Sequence, residues 1–119
     1  MTVSTKIGFG KKISGEIIVL TQAADTHQVN SSFSGKILLL LSYAPREFLE
    51  KASFVGATGI ILTSMHYRDF EYFKNNGDFS LLVLSKFGKL GIDKDLATKL
   101  TKLDGEKGQL DGEKKTLTI

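Results

Sequence analysis

Four short runs of apolar residues, separated by polar and glycine-containing segments, set the pattern of this chain. Three of them, at 37–41, 59–63 and 79–84, are apolar at nearly every position instead of at alternate positions. Strands that are buried on both faces have this pattern, and parallel sheets are built from such strands. The remaining run, 13–20, is rich in β-branched residues and predicts a further strand.

The segments between the later runs predict helices. One helix is expected between Pro45, which suits the first helical position, and Gly56, which suits a left-handed residue after the last turn. A second helix is predicted over 67–75, with two phenylalanines on its inner face, and a third one after Asp93. Strand–helix–strand units cross over right-handedly, so three parallel strands with helices between them are expected.

The two ends of the chain predict antiparallel additions to this core. Residues 109–110 and 116–119 are expected to pair around Asp111–Gly112, because Asp-Gly favours hairpin turns. The fold class is therefore α/β, a small central sheet of three parallel βαβ-linked strands plus antiparallel N- and C-terminal strands. We expect a single domain over 1–119. Its parts are an N-terminal strand and loop (1–34), a βαβαβα core (35–104) and a C-terminal hairpin (105–119).

Composition excludes several kinds of chemistry. The chain has no cysteine, so it forms no disulfide and no thiolate metal site, and a cytoplasmic location is expected. No apolar run approaches the length of a membrane-spanning helix. The 16 basic residues nearly balance the 13 acidic ones, and only Arg46 and Arg68 are arginines, which argues against nucleic-acid binding. Neither His27 nor His66 has metal-ligand spacing, so no metal and no cofactor are predicted.

Part of the chain resembles a known group of domains. The segment Gly56-Ala57-Thr58-Gly59, followed by Ile60 and Ile61, is similar to the helix-to-strand junction of protease-associated domains. Those domains share with swivelling β/β/α domains a small sheet of parallel and antiparallel strands. A second segment, Leu81 to Gly88, resembles a strand and Phe-Gly turn of uncharacterised microbial proteins. The resemblance implies a noncatalytic lid, docking module or carrier, and it supplies no catalytic residues.

The candidate ligand site follows from the predicted sheet. Ligands of open α/β sheets collect beyond the carboxyl ends of the parallel strands. Polar side chains follow those ends here, and they would suit a small anionic ligand: Tyr43, Ser64, His66, Ser85 and Lys86. The alternative is that these residues are polar only because the chain leaves the core at these positions.

A candidate partner surface lies on the second predicted helix, where Tyr67 and Tyr72 fall off the inner stripe. Because no catalytic constellation is present, our first hypothesis is a noncatalytic accessory or protein-interaction module without enzymatic activity. The chain ends at the apolar Ile119, so we expect it to be one domain of a larger protein, with protein partners or neighbouring domains. The alternative hypothesis is a small anionic-ligand binder or weak enzyme that uses the strand-end cluster.

Overall fold

The computed structural model describes residues 2–20, 29–85, 87 and 94–119. The strands are β1 (Thr2–Ser4), β2 (Ile7–Phe9), β3 (Lys12–Leu20), β4 (Ile37–Tyr43), β5 (Gly59–Ser64), β6 (Ser80–Val83), β7 (Lys107–Asp111) and β8 (Thr116–Thr118). The helices are α1 (Arg46–Phe54), α2 (Tyr67–Asn76) and α3 (Lys94–Thr101). A short 3₁₀ turn, Ser31–Phe33, precedes β4. The predicted loop at 21–28, with His27, and the predicted cap Asp93 lie outside the described residues.

The strands form one mixed sheet in the order β1-β8-β7-β3-β4-β5-β6-β2. The predicted parallel arrangement of β4, β5 and β6 is confirmed, with Leu39 opposite Ile61 and Ile61 opposite Leu82. The strands near both chain ends pair antiparallel, β1 with β8, β7 with β8 and β2 with β6. The fold is therefore the predicted α/β class.

Strand β3 belongs to both parts of the sheet, which the sequence does not predict. Its second half, residues 17–20, pairs parallel with β4, so the parallel set has four strands and not three. Its first half, residues 12–16, pairs antiparallel with β7. One strand of nine residues is long enough to serve both neighbours, and it joins the C-terminal hairpin to the parallel strands.

The sheet is strongly curled. Strands β1 and β2 stand at opposite ends of the strand order, yet only Thr5 and Lys6 separate them in the chain. In a flat sheet, eight strands would place the two edges roughly 33 Å apart, whereas the Cα atoms of Ser4 and Ile7 can be at most about 11 Å apart. The two ends of the sheet must therefore lie close together.

Burial on both faces explains the all-aliphatic strands. Leu38, Leu40, Ile60 and Leu62 pack against α1 and α2, whereas Ile37, Leu39, Ile61 and Leu82 pack against α3 and the β7–β8 hairpin. All eight side chains have no solvent exposure or nearly none. Because both faces are covered, alternation of apolar and polar residues is absent from these strands.

The ends of α1 show how local sequence sets the boundaries of a helix. Gly56 has a φ of +93°, and its N–H donates to the carbonyl of Ser53, while the N–H of Ala57 donates to that of Ala52. These two bonds are the Schellman arrangement that the position of Gly56 predicts. Pro45 is extended and precedes the first helical residue, so it is the N-cap and does not occupy the first helical position.

The β7–β8 hairpin is tied to the opposite end of the chain by a close backbone approach. It has the predicted pairing, with Leu110 opposite Leu117, and its turn comprises residues 112–115. A methyl group at Gly112 would overlap the backbone of Phe9 and Gly10, where β2 ends and the turn to β3 begins. Only glycine allows the two turns to pack this closely.

We expect Gly112→Ala to lower the free energy of unfolding by about 3 kcal/mol, because the added methyl group must push the two turns apart. Gly105→Ala is the matched control: Gly105 has a φ of +84° but open space around it, so the cost should be only about 1–2 kcal/mol. Urea unfolding followed by circular dichroism measures both. Equal losses in the two variants would show that the two turns do not pack closely.

Candidate functional site

Most of the predicted ligand residues lie at one edge of the sheet. Tyr43 and Ser64 end β4 and β5 and are register partners. The N–H of Ser85 donates to the carbonyl of Thr63 at 2.9 Å, which places Ser85 at the same edge. His66 lies two residues after the end of β5 and is the N-cap of α2, whereas Lys86 lies outside the described residues. Binding of a ligand at this edge stays a prediction.

The side chains at this edge differ in their access to solvent. Ser64 is fully buried, Tyr43 is half-buried, and His66 and Ser85 are exposed. The Nδ1 atom of His66 accepts a hydrogen bond of 3.1 Å from the N–H of Arg68, so the imidazole caps the N-terminus of α2. One of its two ring nitrogens is therefore already engaged in a structural role.

The electrostatic surroundings of Tyr43 do not favour an anion. Burial raises the pKa of the Tyr43 hydroxyl, and the carboxylates of Asp69 and Glu47 raise that pKa further. The phenol is therefore neutral at pH 7, and two acidic side chains from α1 and α2 lie near it. An anionic ligand placed beside Tyr43 would be repelled by these carboxylates.

The side chain of Ser42, which precedes the predicted ligand residue Tyr43 in β4, is distinctive. Its Oγ atom is buried and has no hydrogen-bond partner among the residues that the structure describes. The pairing of β4 with β5 is irregular between Leu40 and Tyr43, and Thr63 Oγ1 donates a long hydrogen bond of 3.4 Å to the carbonyl of Leu40. The feature of the sequence that points to Ser42 is a serine directly after five aliphatic residues of β4.

A second candidate site lies between α1 and α2. These helices border a groove of about 350 Å³, and its lining includes Glu50, Phe54, Tyr72 and Asn76. The ring of Phe54 is 90% exposed, and Tyr72 is 40% exposed. We call the surface formed by Phe54, Tyr72, Arg46 and Glu50 the helical face.

Two polar contacts hold the helical face in place. The guanidinium of Arg46 lies 3.9 Å from the centroid of the Tyr72 ring, so the cation is stacked on the aromatic face. The Nε atom of the same arginine donates to Glu50 Oε1 at 2.8 Å. Tyr72 also packs edge-on against the buried Phe73, with ring centroids 5.1 Å apart. The Tyr72 ring is thus in contact with Arg46 and with Phe73.

The structure exposes both tyrosines of the predicted partner surface, and it adds Phe54. Tyr67 is 52% exposed and packs edge-on against Phe87 at 5.0 Å. Phe54 is the last residue of α1 and lies on the exposed side of this helix, away from the buried Phe48, Leu49 and Ala52. An aromatic residue at an outward helical position is therefore the feature of the sequence that could have identified it. Whether these residues bind a partner stays a prediction.

No protein-family description matches this chain, and no curated protein sequence matches it significantly. The resemblance to protease-associated domains therefore stays a prediction. Within the described ranges, no helix is long and apolar enough to cross a membrane. In the same part of the chain, no three His, Asp or Glu side chains are grouped as metal ligands.

We expect Ser42→Ala to leave the free energy of unfolding unchanged or to raise it by up to about 1 kcal/mol, because a buried hydroxyl without a partner destabilises the fold. Thr63→Val is the contrasting variant, since it removes a hydroxyl that has a hydrogen bond, and a loss of about 1 kcal/mol is expected. Thermal and urea unfolding compare the two. A larger loss in Ser42→Ala than in Thr63→Val would mean that the Ser42 hydroxyl has a stabilising partner.

Proposed function

We propose that this chain is a noncatalytic protein-interaction module that docks onto a partner protein through the helical face. The observation that carries the proposal is the 90% exposure of Phe54 at the border of a groove. Burying a phenylalanine side chain contributes about 1.5–3 kcal/mol. A partner that covers Phe54 therefore gains a substantial part of a typical binding free energy from one residue.

The composition of the helical face supports the proposal. Tyrosine and arginine are enriched among the residues that dominate the free energy of protein association, and they work best when they are held rigidly. Here Arg46 is stacked on Tyr72 and bonded to Glu50 before any partner arrives. Arg46 and Tyr72 therefore lose less side-chain freedom when the partner binds than two unpaired side chains would.

The edge of the sheet where the parallel strands end, with Tyr43, Ser64, His66 and Ser85, supports the noncatalytic part of the proposal. We call it the carboxyl edge. Nucleophilic catalysis by a serine needs an adjacent base that a third group orients. His66 uses Nδ1 to cap α2, and Ser64 is fully buried. The likeness to protease-associated domains and a cytoplasmic location belong to the same proposal.

We expect a photoreactive phenylalanine analogue at position 54 to form a discrete adduct with one other protein in the cells that express this chain. Arg46→Ala combined with Tyr72→Ala should abolish the adduct, because these side chains complete the face. The same analogue at Thr118, an exposed position in β8, is the control. With the purified partner, Phe54→Ser should weaken binding by about tenfold or more, and its folding should stay intact because Phe54 is exposed.

The proposal fails if position 54 forms no adduct. It also fails if positions 54 and 118 give the same adducts, or if Phe54→Ser binds the purified partner as tightly as the unmodified chain.

A second candidate function, the binding of a small anionic ligand at the carboxyl edge, is favoured by one observation. Ser42 Oγ is buried there without a partner among the described residues, and such groups call for an explanation such as a bound molecule. Against it stand the carboxylates of Asp69 and Glu47 near Tyr43.

We expect a titration with inorganic phosphate, followed by amide NMR, to leave this edge unperturbed. Saturating shifts shared by Tyr43, Ser64, His66, Ser85 and Lys86 would favour the ligand-binding function over the interaction module. Urea is a suitable neutral solute for the control titration.

A further inference from the structure

The outward side of the antiparallel strands presents polar side chains in two rows that cross the sheet. The register places four residues in one row: Thr2, Thr118, Gln109 and Ser14. It places four more in the next row: Ser4, Thr116, Asp111 and Lys12. The residues between them on these strands, such as Leu110 and Leu117, are buried on the opposite side. We call this outward surface, together with the neighbouring Lys107 and Lys114, the polar sheet face.

The polar sheet face contains hollows that could hold a ligand. A hollow of about 250 Å³ is bordered by Thr2, Lys12, Asp111 and Lys114. A second one, of about 520 Å³, is bordered by Ser14, Glu16 and Lys107, and Ile119 forms part of its wall. Gln109 and Thr118 border both hollows, so the two lie side by side on the sheet.

Both acidic side chains of this face are already engaged. Asp111 Oδ1 accepts hydrogen bonds from the N–H groups of Glu113 and Lys114 at 3.1 and 3.0 Å. Glu16 forms an ion pair of 3.0 Å with Lys36. In the part of the chain that the structure describes, Lys12, Lys107 and Lys114 form no ion pair. Backbone hydrogen bonds leave the negative charge of Asp111 in place, so the three unpaired lysines stand beside one unpaired carboxylate, and the face keeps an excess of positive charge.

Further lysines from both chain ends gather beside this face. Gly112 packs against Phe9, which brings the β7–β8 turn next to the β2–β3 turn that carries Lys11. The N–H of Thr5 donates to the carbonyl of Lys115 at 2.9 Å, which brings Lys6 to the same end. Glu113 and Asp78 are the carboxylates nearby: Glu113 lies in the β7–β8 turn, and Asp78 shares a hollow with Lys11. The near balance of charge in the sequence is therefore uneven in space.

We infer that the polar sheet face is a docking site for the phosphate backbone of a double-stranded nucleic acid, without sequence specificity. Lysine, serine, threonine and glutamine are the side chains that commonly contact phosphate and sugar. A protein partner is disfavoured because its interface would need an apolar centre. The outward residues of the two rows are all polar, and Ile119 is the one apolar side chain among the described residues that border the two hollows. A single strand is disfavoured because these rows hold no aromatic ring on which bases stack.

The test is the fluorescence anisotropy of a short labelled DNA duplex of mixed sequence. With three lysine–phosphate contacts, the affinity should fall about 40-fold between about 50 and about 200 mM salt. Lys12→Glu combined with Lys114→Glu should weaken binding at low salt by about tenfold or more. The slope of log affinity against log salt concentration should also fall, by the amount expected for the loss of about two lysine–phosphate contacts. Lys99→Glu combined with Lys102→Glu, exposed positions in and just after α3, is the control with the same change in net charge.

Three results would overturn the inference. One is the absence of duplex binding at low salt. Another is equal weakening by both charge-reversed pairs, which would show that only net charge matters. The third is binding to vesicles of phosphatidylcholine and phosphatidylserine without binding to the duplex, which would assign the face to a lipid surface. None of these results bears on the helical face, because the substitutions leave that face intact.

Discussion

The burial of residues 37–40 of β4 and of all of β5 on both faces is the constraint on which the rest of this structure depends. An aliphatic strand that is covered on one face only would expose a row of leucine and isoleucine side chains to water. Two layers are therefore needed: α1 and α2 cover one face, and α3 with the β7–β8 hairpin covers the other. Each buried leucine or isoleucine contributes about 1.5–3 kcal/mol relative to the exposed side chain, so these strands contribute a large share of the apolar burial that stabilises the fold.

The second layer explains why the two chain ends come together. The hairpin covers the sheet while it pairs with the first half of β3, and the sheet is curled so that its two edge strands, β1 and β2, lie close together. The close contact between Gly112 and Phe9 is one consequence of that curl. The gathering of Lys6, Lys11 and Lys115 is another, and neither feature is a property of a local segment.

Local sequence predicts what local physics controls. The all-aliphatic runs predict double burial, Gly56 predicts the end of α1, and Asp111–Gly112 predicts the hairpin. The pairing of β3 with β4 could not be predicted, because periodicity reports which faces are buried and not which strand lies alongside. For the same reason, lysines about a hundred positions apart gave no sign of a common surface.

The candidate sites were predictable to different degrees. The rule for parallel sheets located Tyr43, Ser64 and Ser85 at one edge, but it could not reveal that Ser64 is buried or that His66 caps a helix. Tyr72 was predicted to be exposed, whereas its stacking with Arg46 depends on the relative position of two helices. The exposed residues of a single helix can thus be predicted from the sequence, whereas contacts between residues of different elements cannot.

The doubly buried parallel sheet is tested most directly by backbone nuclear Overhauser effects in an isotopically labelled sample. The structure predicts contacts of the parallel type between residues 38–40 and 60–62, and between residues 60–62 and 81–83. Contacts of the antiparallel type between these strands, or contacts that place another strand between them, would contradict the account.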